Sequence, residues 1–190
     1  GAMSTISTVA AMASCASPCP SAMLLYLFGL PAAGKNYVGQ VLADTFGYTF
    51  YDGDLDLTEE LRDAVRQERP FTDTMRDRFY AVLIERIAAL RREYTDLAFG
   101  QATFKERHRA LVAEAFPDVV FVLVEAAEEV RLARLARGGN PVTVDYARQI
   151  AAFFEPPRHA HFVIRNEGGR AEIVAQLERL LATLAVAGYV

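Results

Sequence analysis

Three groups of residues in this chain could do chemistry together. The first is Gly29-Leu30-Pro31-Ala32-Ala33-Gly34-Lys35-Asn36, a loop bounded by glycines with a lysine at its end. Glycines let backbone N–H groups turn inward around an anion, and Lys35 adds a point charge. A loop of this spacing, set between a strand and a helix, cradles nucleotide phosphates, with the lysine on the β- and γ-phosphates. A helix opening at Lys35 and Tyr37 adds its favourable dipole. Asn36 stands where the motif places Ser or Thr, whose hydroxyl binds Mg²⁺. Its carboxamide oxygen is also a hard ligand, with one more bond of reach.

The second group is Asp52-Gly53-Asp54. At the end of a strand, the two carboxylates are expected to face opposite sides, one toward metal and phosphates and the other toward an acceptor hydroxyl. Taken alone, the same tripeptide also reads as an acidic turn. The third group is Gln101 with the arginines Arg76, Arg109, Arg134 and Arg137. Arginine's planar fork suits phosphates and carboxylates, although a solvated helix face or a surface ion pair accounts for such residues equally simply.

These residues need a scaffold, and the hydrophobic pattern supplies one. Met23–Phe28 is a wholly apolar run ending at a glycine, as in a buried parallel strand. A helix over about 35–46 follows, with Val38, Val41, Leu42 and Phe46 on one face. Tyr48–Tyr51 reads as a strand closed by the acidic pair. Thr58 and Thr72 can cap helices running to about Gln67 and Glu93. The longer one carries a core stripe of Met75, Phe79, Leu83, Ile87 and Leu90. Strands over 97–99, 119–124 and 161–164 alternate with helices over 105–115, 128–137, 144–154 and 171–185. Alternation of this kind gives a parallel sheet covered on both faces, with ligands at the carboxyl ends of the strands. The three groups lie at those ends.

The bulk composition narrows the function further. A chain of 190 residues holds one domain with a sizeable core. Its net charge of −4 offers no basic field for nucleic acid or anionic lipid. No apolar run approaches the roughly 20 residues of a membrane span. Residues 1–22 are rich in Ser, Thr, Ala, Cys and Pro, lack periodicity and read as a flexible tail, with a native start at Met3 or Met23. Cys15 and Cys19, both in that tail, read as free thiols in a reducing cytoplasm. Residues 23–190 then form a single domain. Its surface leaves room for a homodimer.

A phosphate loop followed by Asp-Gly-Asp after the second strand resembles the gluconate kinase and shikimate kinase group of small-metabolite kinases. Pro70-Phe71-Thr72-Asp73-x-x-Arg76 is similar to the gluconate kinase signature Pro-Leu-Thr-Asp-x-Asp-Arg. Lys105-x-x-His108-Arg109 resembles Lys-Lys-x-Tyr-Arg after strand three. Arg131–Arg137 with its glycine-rich break resembles the helix entering a mobile lid, and Gln149-x4-Phe154-Glu155-Pro156 the segment leaving it. The resemblance spans about residues 23–185. It implies a three-layer α/β P-loop kinase fold, with a five-stranded parallel sheet in the order 2-3-1-4-5, helices on both faces and a small lid at about 137–148.

It also implies roles. Gly29 to Tyr37 would hold ATP, joined by Arg134 and Arg137 as the lid closes. Asn36 and Asp52 would place Mg²⁺, and Asp54 would bind the acceptor hydroxyl as general base. Arg76, Gln101 and Arg109 would fix a small, hydroxylated, anionic acceptor. The acceptor half departs from the family. Leu57 replaces a His, Met75 an Asp, and Arg78-Phe79 a Pro-Trp; Gly100-Gln101-Ala102 replaces the Gly-Gly-Gly of shikimate kinases. Arg78 and Arg148 are further candidates for a rewritten pocket, and His108 reads as a surface residue. Two other functions stay open beside the small-molecule kinase: a nucleotide or antibiotic phosphotransferase, and an ATP-binding regulatory protein with little turnover.

Overall fold

The computed structural model describes residues 22–188. The tail with Cys15 and Cys19 lies outside the described residues. Five strands form one parallel sheet: β1 (Met23–Phe28), β2 (Thr49–Asp52), β3 (Asp96–Gly100), β4 (Val120–Glu125) and β5 (His161–Arg165). Their order is β2-β3-β1-β4-β5, as the resemblance implies. Between them run α1 (Lys35–Phe46), α2 (Glu59–Arg66), α3 (Asp73–Glu93), α4 (Glu106–Ala115), α5 (Glu128–Ala136), α6 (Val144–Ala151) and α7 (Arg170–Val186).

The pleat of β1 explains why the whole strand is apolar. Its side chains alternate between two cores. Met23, Leu25 and Leu27 join Val38, Val41 and Leu42 of α1 and Ile173, Leu177 and Leu180 of α7. Leu24, Tyr26 and Phe28 face the other way, onto Phe79, Leu83 and Ile87 of α3 and Val112 of α4. The predicted α3 stripe is therefore core. Thr58 and Thr72 cap α2 and α3 as expected, accepting from Leu61 N and Met75 N.

A smaller third cluster, Phe104 with Tyr146 and Ile150, fastens α6 against the loop after β3. Tyr146 also donates its hydroxyl to Arg69 O at 2.7 Å. The stretch expected as a lid is thus of two kinds. Residues 137–143 are an almost wholly exposed turn through Gly138 and Gly139, while α6 is anchored by buried side chains. Among the described residues, no helix is long and apolar enough to cross a membrane.

Candidate active site

The phosphate loop joins β1 to α1 at the carboxyl edge of the sheet. Its carbonyls are held from outside. Lys35 Nζ donates to Gly29 O and Leu30 O at 2.9 and 3.1 Å. Arg134 Nη1 donates to Ala32 O and Ala33 O at 2.9 and 3.2 Å, and Asn166 Nδ2 donates to Ala33 O at 3.0 Å. The amides of Leu30, Ala32, Gly34, Lys35 and Asn36 have no backbone acceptor among the described residues. Unpaired N–H groups at a helix amino end are the physical basis of an anion site. Gly34 has φ 99°, and a Cβ there would lie 1.8 Å from Asn166 Nδ2, so the position admits no side chain.

Asp52 ends β2 and Asp54 belongs to a 3-10 turn, Gly53–Asp56. The pair does not point to opposite sides. Residues two apart in an extended segment share a face, and the turn that begins after Asp52, whose Oδ1 accepts the amide of Asp54 at 2.9 Å, keeps Asp54 at the same end. Both carboxylates act on the Lys35 ammonium. Arg62 of α2 secures the turn, donating to the carbonyls of Leu57, Asp54 and Leu55. Gln101 Nε2 donates to Asp54 Oδ1 at 3.0 Å.

Burial brings the Lys35 ammonium down to about 8, against the opposing pull of Asp54 and Asp52. Asp54 moves up. Crowding of its carboxyl by protein raises it first and the Asp52 charge second, while Lys35 and the Gln101 bond draw it down. The residue as a whole is open to solvent, so the carboxyl stands in a concave site that water still reaches and its shift is partly screened.

Asn36 uses its nitrogen, not its oxygen, toward the acidic pair. Nδ2 donates to Asp52 Oδ2 at 2.9 Å. In this arrangement Asn36 and Asp52 do not present two oxygens side by side to a metal. Among the described residues no cluster of His, Cys, Asp and Glu could enclose a metal on its own. Asp52 and Asp54 are hard oxygen donors, and they suit Mg²⁺ bound through one or two carboxylates, water and phosphate.

The arginines separate by surroundings. Arg131, which the resemblance left without a role, is buried, lines a cleft of about 360 Å³ beside Leu30 and Ala33, and lowers the Lys35 pKa by its charge. Arg134 braces the loop from behind and also donates to Asn166 O. Arg137 is exposed, as is Tyr37. Arg76 is buried and lines a pocket with Gln101, donating to Phe71 O at 2.9 Å.

Arg109 is fully buried, unlike an acceptor ligand. It donates to Thr103 O, Glu106 Oε1 and Phe104 O, with its guanidinium carbon 4.9 Å from the ring centres of Phe28 and Phe154. The geometry makes it a scaffold for the loop after β3. Arg78 and Arg148 are surface ion pairs with Glu60 and Asp145, outside the pocket lining. His108 is buried, not superficial: it stacks on Tyr80 with Nε2 at 2.9 Å from Asp77.

Sequence reasoning missed Asn166 and Thr103 as well. Asn166 is a buried polar residue directly after β5, at the edge where ligands bind, and that position was its available signal. Thr103 sits at φ 49°, a conformation that sequence does not show.

No family model matches the chain, and no curated protein does. Solved structures do. A gluconokinase from Sinorhizobium meliloti superposes with a TM-score of 0.72 at 22% identity, over 90% of this chain and 99% of that one. The fold is that of the P-loop kinases. A sugar kinase from a Janibacter species gives 0.73 at 21% identity, over 87% and 96% of the two chains. A shikimate kinase from Acinetobacter baumannii, solved with shikimate, gives 0.57 at 18% identity, over 87% and 95%. At such identities the likeness is one of P-loop kinase architecture.

Proposed function

We propose that the protein is an ATP-dependent phosphotransferase that moves the γ-phosphate to a hydroxyl of a small polar metabolite. The observation that carries this reading is Asp54, a carboxylate set between Lys35 of the phosphate loop and Gln101, which lines a separate pocket. Phosphoryl transfer needs that pairing of an anion cradle with a base facing a second site. The kinase names of the structural neighbours accord with it.

In this reading the free amides of Leu30, Ala32, Gly34, Lys35 and Asn36 hold the phosphates. Lys35 leaves the carbonyls of Gly29 and Leu30 for the β- and γ-phosphates, and Arg131 adds charge from the neighbouring cleft. Asp54 takes the proton of the acceptor hydroxyl as the hydroxyl oxygen bonds to the γ-phosphorus and the bond from that phosphorus to the β,γ-bridging oxygen breaks, releasing ADP. Asp52, reached through water, and Asn36, which positions Asp52, would serve Mg²⁺, whose charge neutralises the phosphate oxygens. Positioning and charge supply most of the rate. Arg134 and Asn166 act indirectly by fixing the loop. Arg137 and Tyr37 stand at the rim, and we assign the exposed turn 137–143 as the moving part of the lid.

The test is ADP release with ATP, Mg²⁺ and a panel of hydroxy acids, polyols, cyclitols and nucleosides. Stimulation by a small hydroxylated compound supports the reading. Tight ATP binding with no stimulation by any acceptor would leave a regulatory nucleotide-binding protein instead.

A further inference from the structure

The pocket beside Gln101 holds more information about the acceptor than its arginine alone. Its volume is about 50 Å³, and aromatic rings of Phe71, Phe79, Tyr80, Phe104 and Tyr146 form much of its wall. Nearly every polar group there is already engaged. Thr103 Oγ1 shares a hydrogen bond with the Tyr26 hydroxyl at 2.8 Å and donates to Gln101 O at 3.3 Å. The Tyr146 hydroxyl is given to Arg69 O. Gln101 spends its nitrogen on Asp54 and its oxygen on the amide of Ala102.

Arg76 and the Tyr80 hydroxyl, which faces the hydroxyls of Thr103 and Tyr26, are the exceptions. Arg76 Nη1 is held by Phe71 O, with Asp73 at 3.7 Å, while Nε and Nη2 have no acceptor among the described residues. The pocket thus offers one buried cation with unspent donors, aromatic walls and few other partners. A polyol acid carries a hydroxyl on nearly every carbon. Each one buried here without a partner weakens binding by about tenfold. One guanidinium also matches one negative charge, and its planar fork matches a carboxylate.

We propose that the acceptor is a compact hydroxy-monocarboxylate whose remaining skeleton is apolar, a short hydroxyalkanoate or aryl hydroxy acid, with its carboxylate on Arg76 and its hydroxyl toward Asp54. This deepens the kinase reading and rests on it for the transfer step. The binding preference can be measured without that step.

The experiment titrates the 190-residue chain, by calorimetry and ligand-observed NMR, with 3-hydroxybutyrate, mandelate, gluconate and sorbitol, and follows ADP release with each in the presence of ATP and Mg²⁺. The expected result is that 3-hydroxybutyrate or mandelate binds at least tenfold more tightly than gluconate, and that sorbitol is weaker still. Arg76→Met should lose tenfold or more of that affinity. If Arg76→Met does not fold by circular dichroism, Arg76→Lys, which keeps the charge without the fork, should show a smaller loss.

Gluconate or sorbitol binding as well as the hydroxy acids overturns the proposal. So does an unchanged affinity in the Arg76 variants, or no binding by any of the four at millimolar concentration. Hydroxy acid binding without ADP release sustains the pocket assignment and sinks the kinase reading. ADP release driven best by gluconate does the reverse.

Discussion

The carboxamide nitrogen of Asn36 donates to Oδ2 of Asp52 at 2.9 Å, joining the first turn of α1 to the end of β2. A serine at this position is too short to make the same bond. It would instead offer an oxygen where Asn36 now offers N–H. Asn36→Ser should therefore release Asp52 and lower the Mg²⁺ concentration for half-maximal ATP turnover, with the rate at saturating metal kept within a few-fold. A Mg²⁺ titration of ADP release measures this. A loss of tenfold or more at saturating Mg²⁺ would show that holding Asp52 matters more than ligating the metal.

Asp54→Asn should lower turnover by about 10²- to 10⁴-fold, the usual contribution of a general base, with ATP binding retained. The same change bears on stability. The folded carboxyl of Asp54 is raised above its ordinary value, first by crowding and then by Asp52. Such a group stabilises the fold below its unfolded pKa and loses that contribution as pH rises through the folded pKa. At pH 7 the ionised form is the disfavoured one, so Asp54→Asn should keep or raise the melting temperature. A clear drop in melting temperature at pH 7 would contradict this account of the site.

Lys35 predicts a basic limb in nucleotide affinity. Burial brings its pKa to about 8, so the cation is lost as pH rises through that region. ATP affinity should fall by up to tenfold per pH unit above about 8, and Lys35→Met should be weak at neutral pH and flat across the range. Equilibrium ATP titrations from pH 6.5 to 9.5 test this, and a constant wild-type affinity up to pH 9.5 would count against it. The sign for stability is separate. With the folded pKa below the unfolded value, the uncharged form is favoured in the fold, so the stability contribution of Lys35 grows between about pH 8 and its unfolded pKa.

Arg109→Met should act on stability before chemistry. The change strips donors from Thr103 O and Phe104 O and leaves the part-buried Glu106 with His159 as its remaining side-chain partner. Breaking a buried ion pair from one side costs about 3–5 kcal/mol. Urea unfolding should show a loss of that order. A variant within about 1 kcal/mol of wild type, on the scale of a surface ion pair, would return Arg109 to the acceptor-binding role that the family resemblance implies.

The sequence by itself determined what depends on near neighbours along the chain. The apolar run Met23–Phe28, the glycine-bounded loop ending in Lys35 and the caps Thr58 and Thr72 were all legible. Hydrophobic period, backbone freedom and capping hydrogen bonds act over a few residues, and sheet order followed from the family resemblance carried on them. Only the tertiary structure decided what each polar side chain faces. The 3-10 turn that holds Asp54 beside Asp52 is secured by Arg62 from another element. Arg76 and Arg109 look alike in sequence, yet one lines a pocket with donors to spare and the other is enclosed between Phe28 and Phe154. Asn36 read as a metal ligand until Asp52, 16 residues away, supplied a partner for its nitrogen. A charge or an amide is defined by the groups across the fold that desolvate and pair it, and those contacts are set by packing rather than by local pattern.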